Sequence, residues 1–257
     1  MLQAYVPLAA VGVYSVGYML GSAVFEVVAS AVNSAILPFF YGTAADRSEA
    51  ESKRVFARVA AWDAALIGLL ALGTTLFARE AILVLTTKNY LGAVAIVPFV
   101  AWASAFQALA HVPSRGIYLA RRTGLLPVVF VVPAAVNVAL NFILIPRLGV
   151  MGAAWATLVA YPLLFVLTVV AGQRAYRIPY DWGRMALALG VALALSFAEP
   201  LVDVDGLVAA LALKLLLFAA YPVALFVLGF VLPDERAALQ RLWRGWLKGR
   251  RVVTSVS

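Results

Sequence analysis

The chain contains no cysteine and a single histidine, His111. Without thiols, disulfides and thiolate metal sites are excluded. A Gly-rich phosphate loop is absent, as is any paired-carboxylate cluster within the apolar runs. No enzyme motif is therefore present, and neither a cofactor nor a metal is expected. Charge is scarce as well: Asp, Glu, Lys and Arg make up 12% of residues, about half the ~25% share of soluble domains. With 65% hydrophobic residues and a mean hydropathy of +0.98, this deficit excludes a water-soluble domain. The surplus of 20 Lys and Arg over 12 Asp and Glu would suit nucleic acid if it formed one basic face. Instead the bases stand in short clusters between apolar runs, the pattern that orients a membrane protein. No nucleic acid partner is expected. Met1 is followed by Leu2-Gln3-Ala4-Tyr5 without a basic flank, so no cleavable signal peptide is read.

What the chain does have is long apolar runs. A helix needs about 20 apolar residues to cross a bilayer, and the sequence predicts seven helices, at roughly 11–40, 57–78, 91–119, 123–146, 149–172, 183–200 and 206–231. The expected fold is an all-α, polytopic transmembrane bundle. The sixth helix is short between Met185 and Ala198, although Arg184 can snorkel and Trp182 can sit at the interface. Charge asymmetry argues for keeping it. Arg47, Lys53, Arg54 and Arg58 follow helix 1; Arg115, Arg121 and Arg122 follow helix 3; Arg174, Arg177 and Arg184 follow helix 5. The tail adds Arg236, Arg241, Arg244, Lys248, Arg250 and Arg251. The opposite loops hold only Arg79, Lys88 and Arg147. Removing helix 6 would place the basic tail outside, against the positive-inside rule. The charge pattern sets the C-terminus in the cytoplasm and the N-terminus outside. Ala44–Arg54 mixes both signs and reads as a solvated helical linker. After Pro233, Leu239, Leu242, Trp243, Trp246 and Leu247 recur at helical spacing among Arg241, Arg244 and Lys248, a basic amphipathic segment suited to anionic membrane lipids.

The most patterned stretch runs from Asn137 to Tyr161. Pro146 is expected to end one helix, Gly149 and Gly152 to let the chain reverse. Gly152, Ala153, Ala156 and Ala160 then give the next helix a small-residue face for helix contact in lipid. Its pattern, Asn-x-x-x-Asn-x-x-Leu-Ile-Pro-x-x-Gly-x-x-Gly-Ala-Ala-x-Ala-Thr, resembles the late helical hairpin of bacterial polysaccharide-biosynthesis flippases. These belong to the multidrug/oligosaccharidyl-lipid/polysaccharide exporter superfamily. VGVYSVGYMLG (Val11–Gly21), NYLGAVAIVPFVAW (Asn89–Trp102), YLARRTGLLP (Tyr118–Pro127) and IPYDW (Ile178–Trp182) fit the same family in the same order.

The resemblance places Val11–Gly21 at the opening of the eighth of fourteen helices. It implies a C-terminal transporter lobe of five helices over 11–172, two accessory helices over 173–232 and a basic cytoplasmic tail over 233–257. Residues 1–10 would be the end of a truncated preceding helix with its outer loop, and the N-terminal lobe, from the same gene or a separate chain, would be the missing partner. The function it implies is export of a polyprenyl-diphosphate-linked oligosaccharide for surface polysaccharide by alternating access. Two alternatives stand beside it: a cation-coupled drug antiporter of the same superfamily, and a non-transporting membrane fragment or scaffold. A glycan polymerase is disfavoured because no large outer loop is present.

Polar residues inside the spans are the candidates for function, since burying them in lipid is costly. Helix 1 carries a stripe of Ser15, Ser22, Glu26, Ser30 and Asn33, with Glu26 read as either a coupling carboxylate or a hydrogen-bonded structural one. Helix 3 carries Ser104, Gln107, His111, Ser114 and Arg115 on one face. Pro113 is expected to unwind it between His111 and Arg115. Arg115 has the fork that suits a lipid-linked pyrophosphate; it also fits the basic cluster with Arg121 and Arg122. Asn137 and Asn141 share a face of helix 4, for cavity lining or for helix–helix hydrogen bonding. Lys214 in helix 7 either snorkels or grips a lipid phosphate. Asp63 is expected to pair with Arg58, and Trp102 to stack on sugar or pack at the lipid face.

Overall fold

A computed structural model describes residue 2, residues 5–199 and 206–237, and residue 241; within these, the side chains at 32, 33, 35–41, 44, 45 and 207 are left undescribed. Every regular element among the described residues is helical. The helices are α1 (Leu8–Asp46), α2 (Glu49–Leu76), α3 (Ala78–Leu85), α4 (Val97–Leu109), α5 (His111–Leu119), α6 (Leu126–Leu148), α7 (Val150–Ala175), α8 (Trp182–Ser196) and α9 (Leu207–Val227). A 3₁₀ segment, Lys88–Ala95, meets the α4–α5 rod at a 54° bend. Five helices are long and apolar enough to cross a membrane, six if that bent pair is one span. The chain is a multi-pass membrane protein. All seven expected rods are present, but α8 falls short as a span. Its 15 residues rise about 22 Å at 1.5 Å each, against about 30 Å of hydrocarbon.

Local chemistry sets the boundaries. Ser48 starts α2 with a capping box: its hydroxyl accepts from Glu51 N–H, and the Glu51 carboxylate accepts from Ser48 N–H at 3.2 Å. The linker expected at Ala44–Arg54 is thus reduced to the pair Arg47-Ser48. Pro146 does not end α6. It lies in the last turn, and the reversal falls at Gly149, whose φ of +58° disfavours a side chain. Pro113 also acts elsewhere than expected. Having no N–H, it cannot pair with the Leu109 carbonyl one turn earlier, and the interruption sits at Ala110, before His111.

Apolar surfaces do not drive helices together in lipid, so close packing has to. α2 lies at the centre, with an alanine-rich face (Ala57, Ala60, Ala61, Ala64, Ala65, Ala71) buried against α4 and α8. Trp102 belongs to this core and is 9% exposed, so it faces neither lipid nor sugar. α1 and α4 run parallel and touch through the Gly17-x-x-x-Gly21 pair. A Cβ on Gly17 would stand 3.0 Å from Ile96 Cβ, and one on Gly21 only 2.7 Å from Val100 Cβ. The small-residue face of α7 packs as expected: a Cβ on Gly152 would be 2.4 Å from the Leu144 carbonyl oxygen, and Ala153, Ala156 and Ala160 are buried. At the far end of α7, Gly172 comes equally close to the Pro113 carbonyl of α5, where a Cβ would sit 2.6 Å away.

Two ion clusters tie α8 and α9 to the rest. At one end, Arg184 at the start of α8 donates to Glu235 at 2.8 Å with both groups buried, and Arg58 of α2 reaches Asp234 at 2.8 Å and Glu235 at 3.4 Å. Arg58 is therefore engaged there rather than with Asp63. Trp62 N–H and the Leu232 backbone N–H also donate to Glu235. At the opposite end, Lys214 of α9 donates to both oxygens of Glu80 in α3, at 2.7 and 2.9 Å, with Glu199 at 3.8 Å. These contacts place the start of α8 at one end of the bundle and Glu199, three residues past its last turn, toward the other. Residues 233–237 are helical; the rest of the basic amphipathic tail, apart from Arg241, lies outside the described residues, as do Asp203 and Asp205.

Candidate functional site

The polar faces of α1 and α4 meet. Along α1, Tyr14, Tyr18, Ser22, Glu26, Ser30 and Ser34 occupy every fourth position. Steps of four in a helix of 3.6 residues per turn drift by about 40° each, so this ridge winds around α1 and serves two neighbours in turn. Its first part faces α6 and α7, its second part α4.

The second part forms a cleft of about 420 Å³. Ser22, Glu26, Ser30 and Ser34 line one wall, Ser104, Gln107 and His111 the other. Glu26 is exposed to this space and makes no ion pair with any described residue. Ser104 Oγ is buried without a hydrogen-bond partner. Glu26, Ser104, Gln107 and His111 are thus brought together as the sequence suggests. Arg115, one turn beyond His111, is half-buried and within electrostatic range of it, but does not line the cleft. Ser114 turns back to its own helix, its hydroxyl donating to the His111 carbonyl at 2.7 Å. Asn33 lies on α1, but its side chain is outside the described residues.

The first part of the ridge borders a larger cleft of about 810 Å³, at the Gly149 end of the bundle. Tyr14 and Tyr18 of α1, Asn137 and Asn141 of α6, Thr157 and Tyr161 of α7 and Gln107 of α4 supply its polar surface. Gln107 lines both clefts. The Tyr18 and Tyr161 hydroxyls are 3.2 Å apart, bridging α1 and α7. Asn141 Nδ2 donates to Asn137 Oδ1 at 2.9 Å, while Asn141 Oδ1 has no partner. The asparagine pair accordingly hydrogen-bonds within α6 and lines the cleft; it makes no helix–helix bond among the described contacts. Charged side chains are absent from this lining among the described residues.

Lys214 does not belong to either cleft. It is 3% exposed and neutralised by Glu80, so neither snorkelling nor phosphate capture describes it. The reason is that its partner lies in α3, far away in sequence and adjacent in space. Conversely, sequence reasoning misses the tyrosines. Tyr14 and Tyr18 stand among apolar neighbours, yet their four-residue spacing continues the Ser22–Glu26–Ser30 row, and that was the available signal. Ser15 is the stripe member that fails: its hydroxyl donates to the Val11 carbonyl at 2.9 Å and it lines neither cleft. No protein-family profile, curated protein or solved structure matches the chain.

Proposed function

We propose that this chain is one lobe of a transporter that carries a polyprenyl-diphosphate-linked oligosaccharide across a bacterial plasma membrane, working by alternating access with a second helical lobe. The observation that carries this reading is a row of polar side chains in an apolar bundle: Asn141, Asn137, Gln107, Glu26 and His111 line two clefts that share Gln107. A charged head group must cross about 30 Å of hydrocarbon, and such a row shelters it while the lipid tail remains in the bilayer. Arg115, one turn beyond His111 and outside the cleft lining, is the cation this reading assigns to the diphosphate. The basic clusters at the α2, α7 and α8 ends orient that side toward the cytoplasm. The specific substrate rests on the resemblance of the Asn137–Thr157 hairpin and the other matched stretches.

One observation favours a second reading. Glu26 is the charged group that lines the smaller cleft, and Arg115 is not among its lining residues. A cation-coupled antiporter would use such a carboxylate. Two variants separate the readings in cells that make this protein. Arg115→Ala and Glu26→Gln, at unchanged protein level, should each lower surface polysaccharide and leave lipid-linked oligosaccharide on the inner leaflet. Normal export in both would overturn the flippase reading; normal export with loss of dye efflux in Glu26→Gln would establish the antiporter.

A further inference from the structure

Resting on the flippase reading, we infer that the larger cleft is the seat of the glycan and is built for a sugar without charge. Its polar lining comprises three phenols, three carboxamides and one hydroxyl: Tyr14, Tyr18, Tyr161, Asn137, Asn141, Gln107 and Thr157, the last donating to the Ala153 carbonyl. A carboxamide both donates and accepts, which matches sugar hydroxyls that do the same. Phenol rings offer an apolar face with a polar tip, the surface on which the C–H face of a pyranose lies. Asn141 Oδ1 lacks a partner but is itself buried, so a hydroxyl reaches it only if the Asn137–Asn141 pair turns. A volume of about 810 Å³ falls within the roughly 300–1,000 Å³ of small-molecule sites. What excludes an acidic sugar is the missing cation. A carboxylate seated here would lose water and find no Lys or Arg among the described residues of this lobe's lining, and an unpaired charge is the most costly group to desolvate. Beyond Gln107 the described lining of the smaller cleft carries one charge, the Glu26 carboxylate, and Arg115 stands outside that lining.

The test is saturation-transfer NMR on the purified full chain in nanodiscs, with two soluble probes. One is N,N′-diacetylchitobiose, which is uncharged; the other is a disaccharide of the same size bearing one uronic acid. The uncharged probe should bind about tenfold or more tightly than the acidic one, the scale set by the unpaired carboxylate. Tyr18→Ala and Asn141→Leu should each weaken it about tenfold, and Tyr161→Phe, which keeps the ring and cannot unfold the site by loss of volume, by several-fold. Ser15→Ala serves as the control on the same helix. Asn137→Lys should reverse the preference, giving the acidic probe the higher affinity. Equal affinity for the two probes, or binding that survives both Tyr18→Ala and Tyr161→Phe, would overturn the assignment. Farnesyl diphosphate, a lipid diphosphate without sugar, separates the two levels. If it binds and chitobiose does not, the glycan seat fails while the flippase reading stands. If chitobiose binds as described and farnesyl diphosphate does not, the seat stands and the flippase reading fails.

Discussion

The two flanks of the bundle treat polar groups in opposite ways. On the α8–α9 flank the buried charges are Arg184, Lys214 and Glu235, and each has an ion pair of 2.7–2.8 Å, although Arg184 Nε is left without a hydrogen-bond partner. On the α1–α4–α6 flank, Glu26 has no counter-ion among the described residues, Ser104 Oγ and Asn141 Oδ1 have no hydrogen-bond partner, and all three residues line open clefts. The same apolar surroundings make both arrangements costly. In the first, ion pairs offset most of the cost; in the second the Glu26 carboxylate is left for water or cargo, while the two unpartnered oxygens are themselves buried. An intramembrane charge is thus not by itself a sign of function. Whether its partner is built in is what separates a tie from a site.

Removing a tie should have the largest effect. Glu235→Ala leaves Arg184 buried and unpaired, which costs about 3–5 kcal/mol, and should lower the unfolding temperature followed by tryptophan fluorescence in detergent. Arg184→Met combined with Glu235→Leu should recover much of that loss, because a well-packed apolar pair often replaces a buried ion pair without cost. Lys214→Met acts the same way at the other end but more weakly, since Glu80 and Glu199 keep some access to water; adding Glu80→Gln should lessen the damage. If Lys214→Met proved neutral, the α9 pair would be no tie. Ser48→Ala removes the capping box and should cost about 1 kcal/mol, leaving the clefts untouched. Smallest of all, Glu26→Gln should change stability by less than about 0.5 kcal/mol, as for an exposed residue without partners. A drop as large as that of Glu235→Ala would place Glu26 among the ties.

The absence of native cysteine sharpens the comparison further. Single-cysteine variants report on one position each, and a thiol reacts as its thiolate, which forms poorly in an apolar site. Gln107→Cys and Ser30→Cys should label with a water-soluble maleimide about tenfold faster than Ala64→Cys or Ala192→Cys, that being the factor for one pKa unit. Equal rates would mean that the clefts are dry.

The rods were legible in the sequence because apolar length and polar spacing are local properties. The meeting of Glu26 with His111 was legible for a related reason: each lies on a stripe whose period is that of its own helix, and odd-numbered spans must run parallel. Long-range pairing was not. Arg58 and Asp234 are 176 residues apart, Lys214 and Glu80 134, and no periodicity links them. Hence Arg58 was matched with nearby Asp63, and Lys214 with lipid. The breaks were misplaced for a physical reason, since a proline disturbs the carbonyl one turn before it, while a proline in the last turn disturbs little.

The Gly17–Gly21 contact has a mechanical consequence. α1 is held against α4 at Val100 by a gap too small for a methyl group, and beyond that fulcrum Ser34 stands about 20 Å further along the helix axis, at 1.5 Å per residue. Like the long blade of a pair of shears, α1 magnifies whatever happens at the rivet: a swing of about 10° over that arm of about 20 Å would part the far mouth by about 3.5 Å, more than the width of a water molecule.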